Sequence, residues 1–200
     1  MKKIKNIFLL IPVLCMPLFM CLFALGNMDI SHAAPDLKEA DYCSFVIPSD
    51  FVPCDRRGLF INKNYPMESS SIGYSYYYNG EDVLLTNREK LNMQDTLETP
   101  ADDSRDLSKS GYESTVSAAY NKSFGRDVAF SVTSFEDINI DGYQGYRIES
   151  SYMAEDDQMV YQTVYMLLSR YKTFTITMQR AADDDCQELF DECASSIHVH

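Results

Sequence analysis

The stretch Val128-Ala129-Phe130-Ser131-Val132-Thr133-Ser134-Phe135-Glu136-Asp137-Ile138-Asn139-Ile140-Asp141-Gly142 decides the fold. Val128, Phe130 and Val132 alternate with Ala129, Ser131 and Thr133, and Ile138 and Ile140 resume the period of two before Asp141-Gly142. A period of two places successive side chains on opposite faces of a strand. Asp-Gly after such a run is a preferred two-residue hairpin turn, because both turn positions take positive φ. The stretch therefore predicts a strand, a tight turn and a second strand. Residues 146–153, 159–168 and 173–178 supply three further strands, the first pair separated by the polar turn Ala154-Glu155-Asp156-Asp157.

Upstream, 44–51 reads as a short strand entering a turn at Pro48-Ser49-Asp50, 58–64 as a second strand, and 71–78 (SIGYSYYY) as a third, aromatic one. Thr86 and Glu89 have capping-box spacing and predict a helix running toward Leu97. Residues 98–110 are polar and predict an exposed loop. Ser110 and Glu113 repeat the capping-box spacing, Tyr112, Val116, Ala119, Tyr120 and Phe124 recur at helical spacing, and Gly125 stops the run. A last helix is expected near Ala182, where Asp183-Asp184-Asp185 suits the positive helix start, with the stripe Cys186, Leu189, Phe190, Cys193 and Ile197. Strands joined by tight turns, with helices set beside them, predict an α+β fold: a central antiparallel sheet flanked by helices.

The N-terminus sets the compartment. Lys2, Lys3 and Lys5 precede an apolar run from Ile7 to Leu25, and Ser31-His32-Ala33-Ala34 offers small residues around a cut after Ala33. This is the pattern of an export signal over 1–33, leaving 34–200 as a single domain and no membrane segment after cleavage. The alternative is an uncleaved N-terminal anchor, since the run approaches the ~20 residues that span a bilayer; Pro12 and Pro17 inside it and Gly26-Asn27 after it favour cleavage. Neither Cys15 nor Cys21 follows the small residue that lipidation requires.

The whole chain carries 17 basic and 30 acidic residues, a net charge of −13, and loss of 1–33 removes Lys2, Lys3, Lys5 and Asp29 to leave −15. That surface repels nucleic acid and anionic lipid. Cys43, Cys54, Cys186 and Cys193 remain, an even set that in an exported chain predicts two disulfides. Seven residues of helix separate Cys186 from Cys193 by roughly 10 Å, beyond the ~7 Å that a bridge tolerates. Cross-pairing between the N-terminal and helical cysteines is therefore expected, with the partners left open. The spacings fit neither a C-x-x-C redox motif nor a zinc site.

Asp137-Ile138-Asn139-Ile140-Asp141-Gly142 matches the first half of a calcium loop, with oxygens at positions 1, 3 and 5 and glycine at 6. Position 12, which needs a bidentate carboxylate, is Ile148, and Glu149 comes one residue late. Asp137, Asn139 and Asp141 are thus minor metal candidates, and a hairpin accounts for more of the segment. Tyr74, Tyr76, Tyr77 and Tyr78 could stack on a ligand, although sheets use tyrosine routinely for packing. The mature chain keeps two histidines, His198 and His200, which could share a strand face and bind a metal; a frayed surface terminus is the expectation. No G-x-S-x-G elbow and no phosphate-cradling glycine loop is present, so no catalytic residue and no cofactor is assigned. Asn121-Lys122-Ser123 matches a glycosylation sequon but falls inside a predicted helix.

Phe45-Val46-Ile47-Pro48-Ser49-Asp50-Phe51 resembles the F-x-x-P-x-x-[FW] opening of PsbP-like domains. The resemblance continues through Ile138-x-Ile140-Asp141-Gly142-Tyr143-x-x-Tyr146, a paired strand set and a closing helix ending Ala194-Ser195-Ser196-Ile197. It implies an α/β/α sandwich around an antiparallel sheet. Members of that family are mostly accessory or binding proteins, among them the extrinsic subunit of the oxygen-evolving complex and a nuclear-transport factor that binds the Ran GTPase. This chain departs by its four mature cysteines and its lack of tryptophan. The expectation is an exported, non-catalytic binding or accessory domain at a bacterial cell envelope, its partner a protein or another envelope component. The alternatives are an extracellular hydrolase using a carboxylate pair and an acidic calcium-binding module.

Overall fold

The computed structural model describes residues 37–64, 70–78, 107–154 and 158–200. The helix expected over 86–97 and most of the expected loop at 98–110 lie outside them. Among the described residues the strands are β1 (Cys43–Ser44), β2 (Phe51–Pro53), β3 (Leu59–Asn62), β4 (Ser71–Tyr78), β5 (Ser131–Ile140), β6 (Tyr143–Met153), β7 (Met159–Leu168), β8 (Lys172–Ala181) and β9 (His198–Val199). The helices are α1 (Lys109–Phe124), between β4 and β5, and α2 (Gln187–Ser195), between β8 and β9. Seven strands form one antiparallel sheet in the order β2-β3-β4-β8-β7-β6-β5, and β1 pairs with β9 in a separate two-stranded ladder.

The Asp141-Gly142 turn has φ values of 55° and 85°, and Ile140 pairs directly with Tyr143. Two successive positive φ values are what a two-residue primed turn requires, and they match the twist of the strands it joins. Asn139 Oδ1 accepts the Gly142 N–H at 3.0 Å and braces the corner. At the next corner Ser169 Oγ accepts the Lys172 N–H at 3.1 Å and donates to the Lys172 carbonyl at 2.8 Å.

Each face of the sheet is covered. α1 presents Tyr112, Val116 and Tyr120 to a core that includes Val132, Tyr146, Ile148, Tyr152, Val160, Val164 and Met166. α2 presents Phe190 and Cys193 to Ile72, Leu167, Phe174, Ile176 and Met178 on the other face, together with the incoming segment at Ala40, Cys43 and Phe51. β8 is therefore buried on both sides. Burying such an aliphatic or aromatic side chain contributes about 1.5–3 kcal/mol, so the two clusters account for the choice of architecture. This is the α+β fold with helices on both faces that the sequence predicts.

Several expectations need correction. Residues 44–51 do not make one strand: the backbone leaves β1 after Ser44, turns where the Phe51 N–H meets the Pro48 carbonyl at 2.9 Å, and only then joins the main sheet. The cap of α1 is Ser108, whose hydroxyl accepts the Gly111 N–H at 3.1 Å, not Ser110. Glu113 instead accepts the Val132 N–H at 2.8 Å, closing part of the β5 sheet edge. Val128 and Phe130 are buried but precede β5, because Ala129 takes φ 51° and its N–H turns to Asp127.

A bulge between Val132 and Ser134 then shifts the phase of β5. As a result Val132 and Phe135 pack under α1, whereas Ile138 and Ile140 pack on the α2 side. α2 begins at Gln187, not near Ala182, since Asp184 forms a turn with its N–H on the Ala181 carbonyl at 3.2 Å.

Candidate binding surface

The C-terminus is not frayed. The Asp41 and Tyr42 N–H groups reach the His200 carbonyl at 2.6 and 3.4 Å, and the His200 N–H returns to the Tyr42 carbonyl at 3.0 Å. Val199 buries its side chain in the α2-side core, so the neighbouring His198 and His200 point away from it, as alternation demands. The segment approaching β1 is held further by Tyr143 Oη on the Glu39 carbonyl at 2.6 Å, Lys172 Nζ on the Asp41 carbonyl at 2.9 Å and the Val46 N–H on Ser196 Oγ at 2.8 Å.

On this seam the side chains form a connected set. The Tyr42 ring stacks on His200 with centroids 4.6 Å apart and planes 21° apart. Ser44 Oγ lies 2.9 Å from His200 Nε2. Asp141, on the hairpin turn, accepts the Val199 N–H at 3.0 Å and stands 3.1 Å from His198 Nδ1. Those contacts, the Val199 N–H first, hold the Asp141 carboxyl below its usual range. Tyr42 and Val46 are 55 % and 58 % exposed, more than half of each residue, and Tyr76 is 47 % exposed.

The predicted tyrosine cluster is divided by the pleat. Tyr74 and Tyr76 lie on the α2 side: Tyr74 packs against Phe45 at 5.4 Å, and Tyr76 stands 6.3 Å from Phe174. Burial first, and then Cys43, pushes the Tyr74 phenol up to about 12, while its hydrogen bond to the Cys43 backbone opposes the shift. Tyr77 projects to the opposite face beside Thr173, where burial also raises its phenol. At Tyr78, which pairs with Lys172, only the backbone is described. Of the first three, Tyr76 is the most exposed.

The calcium candidates do not assemble a loop. Asn139 and Asp141 spend their oxygens on the turn and on β9, while Asp137 sits exposed on β5 opposite Tyr146. Ile148, at the position that needs a carboxylate, is fully buried, and Glu149 turns to Arg147. Among the described residues no group of three or more His, Cys, Asp or Glu side chains lies close enough to share a metal ion. For the carboxylate-pair reading, Glu136 and Glu149 both contact Arg147, which also donates to Tyr165 Oη at 3.3 Å. Asn121 of the sequon faces inward, accepting the Val128 N–H at 2.9 Å.

All four cysteines are thiols in this structure. Cys43, Cys186 and Cys193 share the α2-side core, and Cys54 lies outside it, its backbone N–H on the Leu59 carbonyl. Burial pushes Cys43 and Cys186 up to about 12 and Cys193 to about 11. A thiol kept protonated is a poor nucleophile and a poor metal ligand. The signal the sequence reading missed was the pairing of His198-Val199 with Cys43-Ser44, because two-residue strands are too short to show a period.

No protein-family profile matches this chain, and no curated protein sequence does. Solved structures do. The PsbP protein of the cyanobacterium Synechocystis is similar with a TM-score of 0.53 and 18% identity, covering 81% of this chain and 91% of that one. LpqN of Mycobacterium tuberculosis, described as involved in cell envelope biogenesis, aligns with a TM-score of 0.43 and 12% identity over 83% of this chain and 87% of its own. The first likeness establishes the class: the chain has a PsbP-like α+β fold. Among the described residues no helix is long and apolar enough to cross a membrane.

Proposed function

We propose that this chain is an exported member of the PsbP-like family that works without catalysis, as an accessory domain binding a protein or another component of the cell envelope. The observation that carries the reading is the exposure of Tyr42 and Val46 on a backbone segment tied at both ends, with Tyr76 partly exposed on β4. Exposed aromatic side chains on a rigid support lose little conformational freedom on binding, which is why tyrosine anchors interfaces. The export pattern over 1–33 supplies the compartment, and the three buried, protonated thiols leave no activated sulfur nucleophile in the α2-side core.

A double variant, Tyr42→Ala with Tyr76→Ala, tests the surface. The wild-type chain should retain a discrete component from envelope extracts that the variant, with unchanged circular dichroism, releases. Equal retention by both would remove this surface from the account.

A further inference from the structure

His198 opens β9 and His200 follows the strand directly, both exposed on the side away from the core, with ring centroids 6.4 Å apart. Each ring is held through one nitrogen only. Asp141 faces His198 Nδ1 at 3.1 Å, and Ser44 Oγ faces His200 Nε2 at 2.9 Å. The described hydrogen bonds leave His198 Nε2 and His200 Nδ1 unengaged. A carboxylate on one imidazole nitrogen fixes the ring and raises the basicity of the other, the arrangement that supports a metal-bound histidine from outside the coordination sphere. The Tyr42 stack restrains His200 in the same way against rotation out of the seam.

We propose that His198 and His200 form a two-imidazole site for a divalent late transition metal ion, with Asp141 and Ser44 as the positioning residues that orient the rings. Imidazole suits Cu2+, Ni2+ and Zn2+, and the general affinity order puts Cu2+ first. With metal–nitrogen bonds of about 2.0–2.1 Å, rings 6.4 Å apart are near the limit that one ion bridges. Binding therefore requires the His198 ring, 60 % exposed, to turn toward His200 about its Nδ1 contact with Asp141. Water completes the coordination, since no third protein ligand of the His, Cys, Asp or Glu type joins the pair among the described residues. The negative Asp141 carboxylate beside the pair adds an attractive field.

Copper titration of the purified chain, followed by electron paramagnetic resonance, tests the site. One Cu2+ per chain is expected, with coupling to two imidazole nitrogens. His198→Ala and His200→Ala should each remove one nitrogen and weaken binding at least tenfold. Asp141→Asn should keep both nitrogens and weaken binding about 10–100-fold. Because His200 also helps to seat β9, His198→Ala is the decisive single variant, its strand pairing being made by backbone. Full copper affinity in the His198→Ala, His200→Ala double variant, or a spectrum without imidazole coupling, overturns the proposal.

Discussion

Asp141 Oδ2 lies 3.1 Å from His198 Nδ1 across 57 residues of sequence, and the same oxygen accepts the Val199 N–H at 3.0 Å. A hairpin corner thereby holds the C-terminal strand, and through it the segment that carries Tyr42. Asp141→Ala removes both contacts. Hydrogen exchange should quicken at the Val199 and His200 amides, while the α1 amides keep their protection. Unchanged exchange in β9 would mean that the Val199 side chain alone seats the strand.

Asp184 gives the pH response. Burial raises its carboxyl above the usual value, against the opposing pull of the Cys186 thiol and Arg180. A folded pKa above the unfolded one, about 4, stabilises the fold at acid pH and loses that contribution as pH rises through the folded value. Asp184→Asn does not titrate. The thermal midpoint of the wild type should therefore fall relative to the variant as pH climbs from 4 toward neutrality, then run parallel. A constant gap across that range would contradict the burial argument.

Inside the core, Gln162 Nε2 donates to Tyr120 Oη at 3.1 Å and Gln179 Oε1 at 3.4 Å, and Tyr152 Oη donates to the same Gln179 oxygen at 3.1 Å. This network ties α1 to β7 and β8. Gln162→Leu deletes two of its bonds at a fully buried position and should cost about 1–3 kcal/mol in denaturant unfolding. No measurable loss would show that the α1 interface rests on apolar contact alone.

At Gly145 β6 has no room for a side chain against β7: an added Cβ would run into the Met166 carbonyl and press on the Leu167 side chain. Backbone cannot yield as a flexible side chain does, so Gly145→Ala should destabilise by at least about 1–3 kcal/mol. A neutral substitution, read by the urea midpoint, would place the strands further apart than described.

Under oxidising conditions we expect a bridge between an N-terminal cysteine and one of the helical pair. Cys43 already shares the core with Cys186 and Cys193, whereas Cys54 does not. Closing a loop of more than a hundred residues would add roughly 4–5 kcal/mol. The buried thiols exchange slowly once protonated, so the bridge should form during folding. Non-reducing peptide mapping that finds Cys43 joined to Cys54, with both helical thiols free, would contradict this.

The sheet was legible where the hydrophobic period was long. β4 and β7 match the predicted 71–78 and 159–168, β6 and β8 extend beyond the predicted 146–153 and 173–178, and Asp141-Gly142 announced its own turn. The phase of β5 was not, because a single bulged residue exchanges the two faces and leaves the residue types unchanged. Helix starts were displaced for a related reason: Ser108 and Ser110 are equivalent as caps on paper, and tertiary demand for the Glu113 carboxylate at Val132 selects between them. Of the surface, Tyr76 could be read from its strand. The Tyr42–His200 stack and the Asp141–His198 contact depend on a ladder of two residues and on contacts more than fifty residues apart, beyond any local pattern.

Site-specific photo-crosslinking in the native envelope tests the central claim most directly. A photoreactive phenylalanine derivative at Tyr42 or Tyr76 should trap one discrete adduct, and the same probe at the exposed Lys122 of α1, on the opposite face, should trap none. Equal labelling at all three positions, or no adduct at Tyr42 and Tyr76, would contradict a binding role for this surface.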